Sequence, residues 1–196
     1  MLDRVLRTFI REVDPSKPMV GVDASGLKPS RASSYYTQSL KPRRVRRYVK
    51  CTIAVELRSQ LVCGFKARRL ARHDLVDFKP VLEKASLGPG ALVVADKGYD
   101  AEHAHEYVRE ELGAYAVIPP RHMDVPVWRT KGRYRKEMKR GYSEELYNQR
   151  NKDETVFSVV KRVMGEYLSS LSVRAQNREL ALRLIAYNAH RLVNIT

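Results

Sequence analysis

The sequence predicts an α/β fold, a mixed sheet flanked by helices, on three observations. Two β-branched runs, Tyr48 to Leu57 and Leu61 to Ala67, lie either side of Arg58-Ser-Gln60, and Val49, Cys51, Ile53 and Val55 alternate with period two, as in a hairpin. Met19 to Ala24 and Ala91 to Ala95 are compact apolar runs with Pro or Gly at their flanks, the mark of buried strands. Helical stripes fill much of the remaining sequence.

In chain order, residues 1–13 place Val5, Phe9 and Val13 at helical spacing, and Asp14-Pro-Ser-Lys-Pro18 ends that entry helix. Strand one follows, stopped by Ser25-Gly26 with Asp23 at its end. Residues 27–45, rich in Pro, Ser and Arg, read as loop before the hairpin. Asp74 is placed to cap a helix through Leu75, Phe78, Val81 and Leu82 that closes near Gly88-Pro-Gly90. The strand ending at Ala95 leads into Asp96-Lys-Gly-Tyr-Asp100, a helix over 101–112, and a strand from Ala114 to Ile118 stopped by Pro119-Pro120. Three strands, a helix, a strand, a helix and a strand is the order of the ribonuclease H-like fold. Residues 121–146 are polar and basic without sustained periodicity and read as an exposed loop or insertion. A long helix over about 144–164 follows, and Leu180, Leu184, Tyr187 and Leu192 mark a last helix packed on the core.

With 196 residues the chain fits one domain, and 43% apolar with 30% charged residues is an ordinary globular composition. The charge is not ordinary: 37 Lys and Arg against 22 Asp and Glu leave +15. Such a surface attracts polyanions, which makes nucleic acid the leading partner. No apolar run approaches the roughly 20 residues of a membrane span, and Met1-Leu-Asp-Arg-Val-Leu-Arg lacks the order of a signal peptide, so no membrane partner and a cytoplasmic location are expected. Cys51 and Cys63 form no Cys-x-x-Cys pair and have no zinc spacing to a histidine, which leaves them as reduced core thiols.

Asp23 and Asp96 each close an apolar strand beside a glycine-containing turn, so each carboxylate sits at a sheet edge next to buried neighbours, Val22 and Ala95. An isolated carboxylate there needs a cation, a set of hydrogen bonds or a raised pKa. Capping of the turns, through Asp-x-Ser-Gly and Asp-Lys-Gly, is the competing structural role. On the helix that follows, Tyr147, Arg150, Glu154 and Lys161 project within an arc of about 60° at about 100° per residue. Val156, Val159, Val160 and Val163 take the opposite side. A solvated ridge with an Arg150–Glu154 pair is the alternative role for that face.

The run Tyr147-x2-Arg150-x3-Glu154-x6-Lys161 resembles the signature around the third acid of DDE-type insertion-sequence transposases of bacteria and archaea. Val-Asp23-Ala-Ser-Gly is similar to that family's first-acid strand, and Val-Ala-Asp96-Lys-Gly-Tyr-Asp to its second-acid block. The three blocks occur in the family's order from about residue 18 to the C-terminus. The resemblance implies a ribonuclease H-like, retroviral-integrase-like catalytic domain that cleaves DNA at transposon ends and transfers the strand into target DNA. It implies that Asp23, Asp96 and Glu154 are the catalytic acids and the ligands of two Mg²⁺ or Mn²⁺ ions, for which hard oxygen donors are suited. It places Arg150 and Lys161 on phosphates beside the scissile bond and Tyr147 against the strand, with a homodimer assembled on DNA.

Lys97, beside the second acid, is either a further phosphate contact or an exposed turn residue. Two basic tracts are candidates for carrying DNA: Lys41 to Lys50, with six bases including Arg43, Arg44, Arg46 and Arg47 and no acid, and Arg129 to Arg140, with seven bases including Arg133 and Arg135 and one acid, flanked by Trp128 and containing Tyr134. Relatives usually carry a DNA-binding region ahead of the first acid, whereas 22 residues precede Asp23, so that region is expected to be missing. A stand-alone or domesticated metal-dependent nuclease and an inactive DNA-binding remnant are the alternative functions.

Overall fold

The computed structural model describes residues 4–6, 8, 17–29, 48–69 and 72–194. Strand β1 (Met19–Leu27) runs through Ser25 and Gly26 rather than stopping before them, because its whole length pairs with β2 (Val49–Glu56). β3 (Leu61–Arg68) completes the hairpin, helix α1 (Leu75–Ala85) follows, and β4 (Leu92–Ala95) returns to the sheet. Helix α2 (Glu102–Glu106), widened into a π turn over Tyr107–Glu111, leads to β5 (Tyr115–Val117). Then come α3 (Arg133–Arg140), α4 (Glu144–Asn148), α5 (Asn151–Met164) and α6 (Val173–Val193). The predicted order of strands and helices therefore holds.

The sheet order is β3-β2-β1-β4-β5, with the first three strands antiparallel and β1, β4 and β5 parallel. Alternation along the strands makes two cores. On one face Leu27, Cys51, Ile53 and Val94 meet Val156, Phe157 and Val160 of α5 and Leu180 and Leu184 of α6. On the other, Val20, Val22, Val93 and Ala95 meet Phe78, Val81 and Leu82 of α1, with Tyr99 and Val108. Being covered on both sides and paired on both edges, β2 is buried at every position, which explains its run of apolar residues. At Gly64 a Cβ would lie 2.6 Å from the Val81 carbonyl oxygen, so the missing side chain lets α1 approach β3.

Polar ties fix the helices on these faces. The Asn188 amide of α6 exchanges two hydrogen bonds with the Val62 backbone, 2.9 and 2.8 Å, and thereby occupies part of the edge of β3. Arg68 reaches the buried Asp77 of α1 at 2.8 Å. Asp74 does not cap α1 with its side chain; it pairs with Lys50 of β2. The entry-helix stripe falls largely outside the described residues; of those described, Leu6 is buried and Val5 exposed. Cys51 and Cys63 are free and buried, as expected; burial pushes the Cys51 thiol up to about 12. No helix among the described residues is long and apolar enough to cross a membrane.

Residues 121–146 differ from the expected loop. They hold a 3-10 turn (Val127–Arg129), α3 and α4. The Glu102 carboxylate accepts from the Tyr134 and Arg135 amides at 2.8 and 3.1 Å, so an acid of α2 satisfies the free N–H groups at the start of α3. Met138 is the one buried residue of α3, too few apolar positions for periodicity to show. The expected long helix is likewise broken at Gln149-Arg150 into α4 and α5.

Candidate active site

The parallel pairing of β1 with β4 ends at Val22 opposite Ala95, and the next residue on each strand is an acid. Asp23 and Asp96 therefore stand side by side where the two strands part. Asp23 lies within β1 rather than at its end, since β1 continues along β2. Alternation sends Asp23 to the face of Leu27, and the extended backbone of Asp96 carries it to the face of Val94. That face is the one α5 covers, which brings Glu154 toward the two aspartates from a distant part of the chain.

Burial, the main cause, raises the pKa of Asp23; the Ala24 amide and Arg150 oppose it, and Asp96 and Glu154 add to it. Asp23 is thus repelled by both other acids. Asp96 accepts from the Gly98 amide at 2.6 Å, so the anticipated turn cap is also present. Glu154 binds Arg150 at 3.0 Å, with 60% of its side chain exposed. No three Asp, Glu, His or Cys side chains among the described residues are gathered into a group able to hold a metal ion. The donor types suit a hard divalent cation.

Arg150 is central to the charge balance. Burial works to lower its pKa, but Tyr147 and the carboxylates of Glu154, Asp23 and Asp96 outweigh it and raise the value. Its guanidinium lies 5.8 Å from the Tyr147 ring centroid, and Tyr147 packs edge-on against Tyr142 at 5.8 Å. Lys161, two turns along α5 from Glu154, donates to the Ser25 hydroxyl at 2.8 Å. Tyr147, Arg150, Glu154 and Lys161 therefore lie along one side of the α4–α5 segment, toward the acid end of β1. The valine side is less uniform than expected: Val156 and Val160 are buried, but Val163 is 61% exposed.

Asp153 was not expected. It is fully buried, and neither carboxylate oxygen accepts a hydrogen bond. Burial, then Asp23, pushes its acid up to about 8, with Glu154 adding and Arg150 opposing. A Cβ at Gly21 would overlap both oxygens. The legible signal was its place on the stripe 153, 156, 157, 160, where an acid interrupts an apolar series. Arg121 was also missed: it donates to the Gly98 carbonyl at 2.9 Å and meets His73 at 3.0 Å, tying the second-acid turn to the segment before α1.

Of the DNA candidates, Lys97 is exposed in the 3-10 turn after Asp96. Arg133 is exposed and lies over Tyr134 at 5.4 Å. Arg135 is engaged with Asp100 through two contacts of 2.7 Å. Trp128, 72% exposed, has Arg129 over its ring at 4.7 Å. Arg43, Arg44, Arg46 and Arg47 lie outside the described residues.

The mixed five-stranded sheet covered by helices on both faces, with Asp23 within β1, Asp96 just past β4 and Glu154 on the covering helix, is a ribonuclease H-like arrangement. The transposase DDE domain model matches residues 15–189, and the chain belongs to that family. The chain is similar in fold to the piggyBac transposase in a cryo-EM structure of its synaptic complex with hairpin DNA, with a TM-score of 0.56 and 11% identity. That likeness covers 92% of this chain and 48% of the other, so the chain spans about half the length of that relative. No curated protein matches it.

Proposed function

We propose that this chain is the catalytic domain of a DNA transposase that cuts DNA at transposon ends and transfers the freed strand into target DNA. The observation that supports this is the parallel pairing of β1 with β4 up to Val22 and Ala95, which sets Asp23 and Asp96 on neighbouring strands under the helix that bears the Arg150–Glu154 pair. Membership of the transposase DDE family, whose chemistry uses divalent metal ions, supports it. Asp23, Asp96 and Glu154 are the proposed ligands of two Mg²⁺ or Mn²⁺ ions. Such ions supply a nucleophile at neutral pH and stabilise charge on the attacking and leaving oxygens.

The chain's own residues then divide the work. The acids repel one another until a cation joins them, which makes cation binding stabilising. Arg150 and Lys161 hold phosphate oxygens next to the acids, and Tyr147 packs on the strand. Lys97, Arg133 and the basic segment with Arg43, Arg44, Arg46 and Arg47 attract the DNA backbone in a salt-dependent way. The partners are DNA and a second copy of the chain assembled on it, in the cytoplasm.

Supercoiled DNA incubated with the purified chain and Mn²⁺ is expected to be nicked. Glu154→Gln should fold normally and lose nicking. Joining of a pre-cut 3′ end to a plasmid is the second assay. Nicking without joining, with every end sequence tried, points to a nuclease; nicking that persists in Glu154→Gln removes the proposed acid set.

A further inference from the structure

The ladder between β1 and β4 ends at Val22 and Ala95, so Asp96 stands just past the last paired residue of its strand. Its direction is set by the 3-10 turn that follows, Lys97–Tyr99. The Tyr99 amide closes that turn on the Asp96 carbonyl at 3.0 Å, and the Asp100 amide on the Lys97 carbonyl at 3.3 Å. Such a short turn has poor hydrogen-bond geometry and needs outside support. On its inner side Tyr99 is buried with its ring 5.3 Å from that of Phe78, and Arg135 grips Asp100.

Arg121 supports the turn from outside. Its amide donates to the Asp100 carboxylate at 2.9 Å, its Nε to the Lys97 carbonyl at 3.4 Å, and an Nη to the Gly98 carbonyl at 2.9 Å. The same Nη meets His73 Nε2 at 3.0 Å, which anchors the guanidinium to the segment before α1. Pro119 and Pro120, both buried and fixed in φ, carry the chain from β5 to this position beside the exit of β4. Arg121 itself is exposed, so core packing does not account for its place. Holding two carbonyls and a ring nitrogen gives up the rotamer freedom that an exposed arginine otherwise keeps, and the planar fork suits adjacent carbonyls as an ammonium does not.

We infer that Arg121 is a positioning residue for Asp96: its guanidinium clamps the Lys97 and Gly98 carbonyls and so fixes the turn that aims the second acid of the proposed site. The role rests on the proposed nicking chemistry, in which a small misplacement of a reacting group is costly. Arg121 acts through the turn and leaves the DNA to other bases.

Amide hydrogen exchange on the full chain tests the clamp without reference to activity. Arg121→Ala and Arg121→Lys should speed exchange at Gly98, Tyr99 and Asp100, with α1 and β4 unchanged. Nicking of supercoiled DNA with Mn²⁺ tests its purpose. In both variants kcat should fall about tenfold or more while KM for DNA stays near the wild-type value. A phosphate contact would instead raise KM, lower the slope of log affinity against log salt by about one, and be largely restored by lysine. That pattern overturns the inference, as does wild-type exchange in Arg121→Ala, or faster exchange with unchanged nicking. Wild-type protein that nicks no DNA, or nicking that survives Glu154→Gln, overturns the acid site and with it the purpose of the clamp, whereas the exchange rates still show whether the clamp exists. Should Arg121→Ala fail to fold, Arg121→Gln is read against the same outcomes.

Discussion

Lys161 of α5 donates a 2.8 Å hydrogen bond to the hydroxyl of Ser25, two residues beyond Asp23 on β1. This contact ties the basic end of the helix to the acid-bearing strand. On the proposed reading, Lys161 is the cation that meets a phosphate held beside Asp23. Ser25→Ala is expected to cost about 1 kcal/mol or less in stability, the net worth of an ordinary hydrogen bond. Lys161→Met should lower DNA affinity and reduce the slope of log affinity against log salt by about one. Binding titrations at several salt concentrations decide it, and an unchanged slope in Lys161→Met assigns the lysine to structure alone.

Gly21 and Asp153 form a matched pair, since a Cβ on the glycine would overlap the carboxylate oxygens. Gly21→Ala is expected to destabilise the chain by about 1–3 kcal/mol, the usual cost of overpacking a core. In an Asp153→Ala background the same change should cost much less. Denaturant unfolding of the four species gives the coupling directly, and additive effects would show that the two positions are independent.

The sheet was legible because its signals are local. Alternation at Val49, Cys51, Ile53 and Val55 and the compact runs ending at Ala24 and Ala95 each reflect burial within one strand. The positions of Asp23 and Asp96 followed from those runs. What was not legible depends on distant partners. Asp153 is buried only because Gly21 opposes it, and α3 exists where no periodicity shows because Glu102 satisfies its first amides. Continuation of β1 past Asp23 likewise comes from pairing of Ser25 to Leu27 with Cys51 to Val49, whereas Ser25-Gly26 by itself reads as a turn.

Arg135 sits in the second basic tract, yet its guanidinium grips Asp100, whose side chain is fully buried, and 23% of the arginine side chain is exposed. Burial works to raise the Asp100 pKa, but Arg135 and the Arg121 amide outweigh it and hold the acid below its ordinary value. The pair's contribution is therefore complete above about pH 4 and is lost as pH falls through the lowered pKa. Arg135→Ala leaves a buried carboxylate without its base and is expected to cost about 3 kcal/mol at pH 7. DNA affinity of the folded fraction should change little, whereas Arg133→Ala should weaken DNA binding without a stability loss. Thermal unfolding and DNA titration of both variants test this, and the reverse pattern would place Arg135 on the DNA.

His105 supplies the pH dependence on the other side of the sheet. It is fully buried, neither ring nitrogen has a hydrogen-bond partner, and its ring stacks 6.5 Å from that of Tyr134. Burial, with Arg109 and Arg135, lowers its pKa from 6.5 to about 4 against the opposing charges of Asp100 and Glu102. The folded state therefore binds fewer protons than the unfolded state between those values, and stability falls as pH drops from about 6.5 toward 4. Asp153, pushed up to about 8, acts in the opposite direction, so the comparison is made with His105→Gln at each pH. Relative to that variant, the wild type should lose about 2–4 kcal/mol between pH 7 and pH 4 and nothing further above pH 7. Urea unfolding of both proteins across that range measures it, and parallel curves would mean that His105 is protonated in the fold as readily as in the open chain.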